Sequence, residues 1–115
     1  LPGTPAPTAS WELLRAAADT AGRLGIPYEV GCVLTSDYFY TDTADWNLRW
    51  RKLGILGVEM ETAALYLTAM RYGKRALSLL TVSDELLTGA RMTPEERETS
   101  LDAMLTAALE LARTL

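Results

Sequence analysis

The stretch Gly57-Val58-Glu59-Met60-Glu61-Thr62-Ala63-Ala64 puts two carboxylates two residues apart in an otherwise apolar segment. It also marks a change of pattern, from a short strand over residues 55–59 to a helix over residues 61–72 that ends at Gly73. A carboxylate in apolar surroundings is costly unless another group pairs with it or it has a function. The stretch therefore predicts a strand-to-helix junction and a candidate functional site.

Helical and extended patterns also alternate before this stretch. We predict a helix over residues 10–24, a strand over residues 27–35 and a short helix over residues 43–53 that Asp42 or Thr43 caps. The strand prediction rests on a run of β-branched and other apolar residues, and the helix predictions rest on apolar residues that recur every three to four positions.

The pattern continues after the stretch. Residues 61–72 are apolar almost all round, which predicts a buried helix. The continuous apolar run of residues 76–82 is typical of a strand that is covered on both faces. Thr93-Pro94-Glu95-Glu96 predicts the start of a last helix, with a capping box and proline at the first helical position. The alternation indicates an α/β layered architecture with some parallel strand pairing, and a sheet so thin that we expect another segment or subunit to complete its core.

The composition limits the classes of function. The chain has 115 residues, of which 49 % are apolar, and this suits one domain with a hydrophobic core. Its net charge of −4 excludes a general cationic surface for nucleic acid, and the basic and aromatic residues of segment 46–52 are interpreted as one face of an amphipathic helix. No apolar run reaches the ~18 residues of a membrane-spanning helix. Residues 1–9 read as a loop or a truncated segment without an initiator methionine, so we expect a piece of a longer protein.

Cysteine and histidine usage narrows the chemistry further. Cys32 is the single cysteine, so it forms no intrachain disulfide, which fits a reducing compartment. Its place in a predicted strand favours a small buried apolar side chain over a reactive thiol. The absence of histidine, beside a single cysteine, argues against a zinc site.

Glu59 and Glu61 allow two interpretations. Ligands of open α/β sheets bind at the carboxyl ends of strands, where a carboxylate can accept hydrogen bonds from two neighbouring sugar hydroxyls. Met60, between the two acids, would add a soft apolar surface. Alternatively, Glu61 caps the following helix, whose dipole would stabilise the negative charge.

Ser83-Asp84 and Arg97 also interrupt the apolar pattern, and Phe39 is a further candidate residue. Ser83-Asp84 follows the apolar run of residues 76–82, where an acid suits proton transfer, although a Ser-Asp pair also forms ordinary turns. Arg97 falls in the first turn of the last helix, where a cation opposes the dipole, so it either pairs with surface glutamates or reaches elsewhere. Phe39 follows the first predicted strand and either stacks on a planar ligand or packs in the core.

In register, these motifs resemble the C-terminal part of a bacterial purine nucleoside phosphorylase of the hexameric, high-molecular-mass type. The motifs are Ser36-Asp37 with Phe39-Tyr40, Val58-Glu59-Met60-Glu61, Thr81-Val82-Ser83-Asp84 and Glu96-Arg97. The resemblance covers nearly the whole chain from about Ser10 onward. It implies that residues 1–115 are the C-terminal portion of one phosphorylase domain, with a partial three-layer αβα fold and a mixed sheet.

The resemblance also implies an activity and residue roles. The reaction would be phosphorolysis of purine (deoxy)ribonucleosides to free base and (deoxy)ribose 1-phosphate, with inorganic phosphate as co-substrate and no cofactor or metal. Asp84 would be the general acid at purine N7, and Arg97 would assist that proton transfer. The implied substrate-binding residues are Phe39 stacked on the purine, Val58, Glu59 and Met60 along the base and ribose pockets, Glu61 at the ribose hydroxyls, and Ser83 at the base.

The family binds phosphate through a glycine-containing loop and arginines of its N-terminal half, and a neighbouring subunit lends a histidine and an arginine. This chain has no histidine, so the resemblance implies that it carries the nucleoside side of the site without the phosphate side. We therefore expect the isolated chain to be inactive, and the whole enzyme to be a cytoplasmic homo-hexamer of purine nucleoside catabolism and salvage. A methylthioadenosine or S-adenosylhomocysteine nucleosidase and a non-catalytic assembly module stay open as alternatives.

Overall fold

The computed structural model describes residues 2–40, 45–86 and 89–115. In this part of the chain the helices are α1 (Trp11–Leu24), α2 (Trp46–Lys52), α3 (Thr62–Arg71) and α4 (Pro94–Thr114), and the strands are β1 (Val33–Thr35) and β2 (Gly57–Glu59). Helices and strands alternate until α3, so the predicted α/β class is confirmed. Among the described residues, no helix is long and apolar enough to cross a membrane.

The two strands pair in parallel, as the alternating pattern predicts. The register joins Val33 to Gly57 and Thr35 to Glu59, so the carboxyl ends of both strands lie side by side. The amide of Ser36 donates to the carbonyl oxygen of Glu59 at 2.9 Å and extends the contact past the ladder. Both strands are shorter than predicted, because an extended segment forms a ladder only where a partner backbone lies beside it. The sheet edge with the two carboxyl ends carries Glu59, one of the predicted site residues.

The predicted strand over residues 76–82 is wrong for the described part of the chain. The segment joins no ladder there, and it is held at its start by other contacts. The amide of Ser10 donates to the carbonyl of Ala76 at 2.9 Å, and the amide of Ser78 donates to the Tyr66 hydroxyl at 2.9 Å. Val82 is 70 % exposed, so the segment is not covered on both faces. An apolar run predicts burial, but burial needs a surface to pack against.

Two other predictions of burial are also wrong, because the described residues provide no surface to cover these side chains. Helix α3 is not buried, since Leu65, Leu67 and Met70 are exposed. Cys32 is exposed rather than a small core residue. The molecule measures 46 × 44 × 20 Å, and a body that is 20 Å thick in one direction holds about two layers of elements. Many apolar faces are therefore left without a partner among the described residues.

Packing between α1 and α4 supplies most of the small core. Ala21 of α1 and Leu111 of α4 are the buried apolar residues of the described chain. Ser10 caps α1 by accepting from the amide of Leu13, and Gly25 ends it in the left-handed conformation that favours glycine. The predicted cap of the short helix, Asp42 or Thr43, lies outside the described residues.

Helix α4 begins as the sequence predicts. The Thr93 hydroxyl accepts from the amide of Glu96 at 3.1 Å, and the Glu96 carboxylate accepts from the amide of Thr93 at 3.0 Å. Pro94 is the first helical residue, where its missing N–H costs nothing. The capping box is therefore confirmed, and it fixes the start of the helix that carries Arg97.

Candidate functional site

The junction between β2 and α3 is built around the Glu59 carboxylate. One of its oxygens accepts from the amides of Glu61 at 2.7 Å and Thr62 at 2.6 Å, and the other accepts from the Thr35 hydroxyl. The first amides of a helix have no partner within the helix, and the helix dipole favours a negative charge beside them. Glu59, rather than Glu61, therefore provides the carboxylate that caps α3, which corrects the capping interpretation of the sequence.

The same hydrogen bonds also lower the pKa of Glu59. Partial burial by itself raises the pKa of the Glu59 carboxyl, but the hydrogen bonds from Thr35, Glu61 and Thr62 outweigh it and hold that pKa below its ordinary value. Glu59 is therefore an anion at neutral pH, and its charge faces the positive end of α3.

Thr35 is a residue of the junction that sequence reasoning missed. Its hydroxyl donates to Glu59 and accepts from the amide of Ala63 at 3.0 Å, which joins the end of β1 to the second position of α3. The Thr62 hydroxyl in turn contacts the Ser78 hydroxyl at 2.9 Å, with either atom as donor. What identifies Thr35 is the strand register, in which it pairs directly with Glu59. The register between distant strands cannot be read from one sequence, so the sequence did not indicate this role.

Glu61 differs from Glu59 because its side chain makes no hydrogen bond or ion pair with the described residues. It occupies the cap position of α3 but its side chain makes no capping hydrogen bond, and it is exposed. Val58 and Met60 on either side of Glu59 are exposed as well. The stretch thus presents two apolar side chains and one carboxylate that has no partner in the described part of the chain. Such a surface suits a ligand with hydroxyl groups and an apolar face.

The turn after β1 presents Phe39 near the same edge. The buried Ser36 hydroxyl donates to the carbonyl of Tyr38 at 2.9 Å and accepts from its amide at 3.1 Å, which closes a tight turn. Phe39 follows this turn and is 65 % exposed, with its ring edge-on to Tyr40 at 4.9 Å between centroids. Of the two interpretations of Phe39, core packing is wrong, and an exposed ring that can stack on a planar ligand agrees with the structure.

Asp84 and Arg97 form a second group. Asp84 pairs with Arg91 in an isolated antiparallel bridge, and the amide of Met92 donates to the carbonyl of Ser83 at 3.0 Å, so residues 83–84 lie beside residues 91–92. This arrangement brings Arg97 to Asp84 with 3.4 Å between a guanidinium nitrogen and a carboxylate oxygen. The side chains are 48 % and 30 % exposed, respectively. Arg97 therefore reaches Asp84 rather than a neighbouring surface glutamate.

The predicted site residues thus form two groups. Glu59 and Glu61 lie at the carboxyl ends of the strands with Phe39 on the turn beside them, and Asp84 lies with Arg97 at the start of α4. No hydrogen bond or ion pair within the described ranges joins the two groups. In the same part of the chain, no group of three His, Cys, Asp or Glu side chains is placed to hold a metal ion.

Comparison with known proteins places this geometry in a family. The family model described as Phosphorylase superfamily matches residues 1–115. The chain belongs to the Phosphorylase superfamily. A relative that is 50 % identical over 107 residues is the "Purine nucleoside phosphorylase DeoD-type" of Geobacillus sp. (strain WCH70). The match covers 93 % of this chain and 45 % of that protein. The family resemblance stated from the sequence is confirmed.

A second relative and a solved structure agree. The "Purine nucleoside phosphorylase DeoD-type" of Clostridium perfringens (strain SM101 / Type A) is 51 % identical over 110 residues, which are 96 % of this chain and 47 % of that protein. The crystal structure of purine nucleoside phosphorylase from Toxoplasma gondii in complex with immucillin-H matches with a TM-score of 0.81 at 22 % identity, over 96 % of this chain and 47 % of that one. This likeness shows the phosphorylase fold. The chain spans about half the length of the relatives it matches.

Proposed function

We propose that this superfamily member supplies the nucleoside side of an enzyme that cleaves purine (deoxy)ribonucleosides with inorganic phosphate. The observation that carries the proposal is the ~50 % identity to two phosphorylases, combined with a Glu61 carboxylate just after β2 that pairs with none of the described side chains. A free carboxylate at a sheet edge suits a sugar diol. The products are free base and (deoxy)ribose 1-phosphate.

The sheet edge holds the substrate in this proposal. Glu61 accepts hydrogen bonds from the ribose hydroxyls, and the exposed Val58 and Met60 line the apolar faces of ribose and base. Phe39 stacks on the purine, for which its exposed ring is available. Ser83 lies directly before Asp84 and supports the base. A carboxylate beside the sugar also stabilises the positive charge that the sugar develops as the glycosidic bond lengthens.

Asp84 donates the proton that the leaving group requires. A phosphate oxygen forms a bond to the anomeric carbon while the bond from that carbon to purine N9 breaks, and the electron pair goes to the purine. A proton from the Asp84 carboxyl to N7 neutralises the charge on the departing base. Arg97, at 3.4 Å, stabilises the carboxylate that remains after the transfer. The acid and its arginine thus act on the base while Glu61 acts on the sugar.

The phosphate must be held by residues other than those assigned here. We therefore expect the 115-residue chain by itself to give no useful turnover, and a polypeptide of the relatives' full length that carries these residues to be active. We further propose that the whole enzyme is a cytoplasmic homo-hexamer of purine nucleoside catabolism and salvage that needs no cofactor.

The test is release of base from inosine and adenosine by such a full-length polypeptide, measured with and without phosphate. Base release that requires phosphate, with (deoxy)ribose 1-phosphate as the second product, is the expected result. Release that is independent of phosphate would refute phosphorolysis in favour of a nucleosidase. Failure to bind or cleave any purine nucleoside would leave the assembly module as the better account.

A further inference from the structure

The hydrogen bonds at the start of α3 come from residues far apart in the chain. Successive amides of Glu61, Thr62 and Ala63 all donate to side-chain oxygens, the first two to Glu59 and the third to Thr35. Thr35 precedes Ala63 by 28 residues in sequence. Amides at these positions have no partner within their own helix, so the side chains of the two strand ends decide how the helix starts.

Thr35 and Glu59 both use their side-chain oxygens in hydrogen bonds within the protein. The Thr35 hydroxyl donates once, to Glu59, and accepts once, from Ala63. The Glu59 carboxylate receives two amides on one oxygen and the Thr35 hydroxyl on the other. A substrate hydroxyl that bound to Glu59 would have to compete with these contacts, which are short and charge-assisted. Glu59 is thus poorly placed to be a direct ligand.

Glu61 is the residue that these contacts hold in place. Its own amide donates to Glu59 at 2.7 Å, while its carboxylate makes no hydrogen bond with the described residues. Fixing the backbone on both sides of a side chain limits the directions that the side chain can take. A small misplacement of a group that orients a substrate is costly for the rate.

We propose that Glu59 and Thr35 are positioning residues that aim the Glu61 carboxylate at the ribose and do not themselves bind the substrate. This inference rests on the proposed function, because it assigns a role within that reaction. It also replaces the substrate-binding role that the sequence resemblance implies for Glu59.

The test is a double-mutant cycle in the full-length polypeptide that carries these residues. We expect Glu59→Gln to lower kcat/KM for inosine about tenfold, mainly by raising KM. In a Glu61→Ala background the same change should alter kcat/KM by less than about twofold, because the residue it acts through is gone. Equal and independent losses in both backgrounds would mean that Glu59 touches the substrate, and would overturn the proposal.

Thr35 offers a matched pair of variants. Thr35→Val removes the hydroxyl at nearly constant volume and should raise KM, whereas Thr35→Ser keeps the hydroxyl and should restore a KM within about twofold of the unchanged protein. Hydrogen exchange of the Thr62 and Ala63 amides should quicken in Thr35→Val and stay slow in Thr35→Ser. An active protein whose KM and amide exchange ignore both changes would refute the positioning role alone, whereas an unchanged protein without phosphate-dependent activity would refute the proposed function.

Discussion

The junction of Glu59 and Thr35 at the strand ends and the Asp84–Arg97 pair differ in how tightly their side chains are held. At the junction, Glu59 contacts two amides and a hydroxyl, and the group links β1, β2 and α3. At the second group, Asp84 and Arg97 are joined by one contact of 3.4 Å between side chains that are partly exposed. The junction is closed by short hydrogen bonds, whereas the pair is open to solvent and to a ligand.

The difference fits the role proposed for each region. A group that orients a substrate gains from being fixed before the substrate arrives. A group that transfers a proton needs room to bring donor and acceptor together in the complex, and its hydrogen bonds are often long without the substrate. Substitutions in the Asp84–Arg97 pair should therefore change mainly kcat, and substitutions in the junction should change mainly KM.

The largest effect is expected at the open pair. Replacing Asp84 with Asn removes the transferable proton and should lower kcat for inosine about 100- to 10,000-fold, while the Kd for the nucleoside changes little. Steady-state kinetics and calorimetric binding on the full-length polypeptide measure the two quantities. Asp102→Asn, at an exposed position of α4, is the matched control and should leave both unchanged. A kcat near that of the control would remove Asp84 from the acid role.

Arg97 should show a smaller effect of the same kind. In the proposed reaction Arg97 stabilises the Asp84 carboxylate after proton transfer, so we expect Arg97→Ala to lower kcat about tenfold with little change in KM. Arg97→Lys should recover part of the loss, since it keeps the charge without the planar guanidinium. Arg15→Ala on the exposed side of α1 serves as the control. An effect confined to KM would place Arg97 with the binding residues instead.

The sequence predicts features that depend on neighbouring residues better than features that depend on distant ones. The capping box of Thr93 and Glu96 is confirmed and follows from a local pattern. The parallel pairing of two strands is also confirmed, but the alternation of helices and strands predicts only that such pairing occurs and not its register. For Arg97 the sequence leaves two options open, and the choice between them needs the bridge that brings Arg91 beside Asp84. Thr35 was missed because its role depends on a partner 24 residues away.

The failed predictions share one cause. The burial expected for α3, for Cys32 and for residues 76–82 assumed that an apolar pattern finds a covering surface. The described part of the chain offers too few layers to cover these faces. An amino-acid pattern reports which face can be buried, but the partner that buries it has to be supplied by the rest of the fold.

Acid should weaken the closed junction. The folded-state pKa of Glu59 lies below its ordinary value, so its contribution to stability is present above that ordinary value and is lost as the pH falls through the folded-state pKa. The free energy of unfolding in urea should therefore differ between the unchanged protein and Glu59→Gln at pH 7, and the difference should shrink below about pH 4. The hydrogen bond with Arg113 also lowers the pKa of Glu110, but this residue is the same in both proteins, so its effect cancels in the difference. A difference that is constant down to pH 3 would contradict the ionised cap.

The smallest effect is expected where α4 is capped by its own residues. Thr93→Ala removes the hydroxyl that accepts from the amide of Glu96 and should cost about 1 kcal/mol of unfolding free energy. Thr106→Ala, at an exposed position within α4, should cost nothing, since alanine favours the helix. Because Arg97 lies in the first turn of α4, a modest fall in kcat should accompany the loss of stability. If Thr93→Ala lost more unfolding free energy at pH 7 than Glu59→Gln, the cap of α4 would matter more for stability than the junction at α3, contrary to the order expected here.

Amide hydrogen exchange tests most directly whether the junction is closed before the substrate arrives. Ala63 and Glu95 occupy the second position of α3 and α4, but only the Ala63 amide has an acceptor among the described residues, the Thr35 hydroxyl at 3.0 Å. After correction for intrinsic rates, we predict that the Ala63 amide exchanges about tenfold more slowly than that of Glu95 without any nucleoside present, and that Thr35→Val abolishes the difference. Equal exchange at the two positions in the unchanged protein would contradict a junction that is already closed.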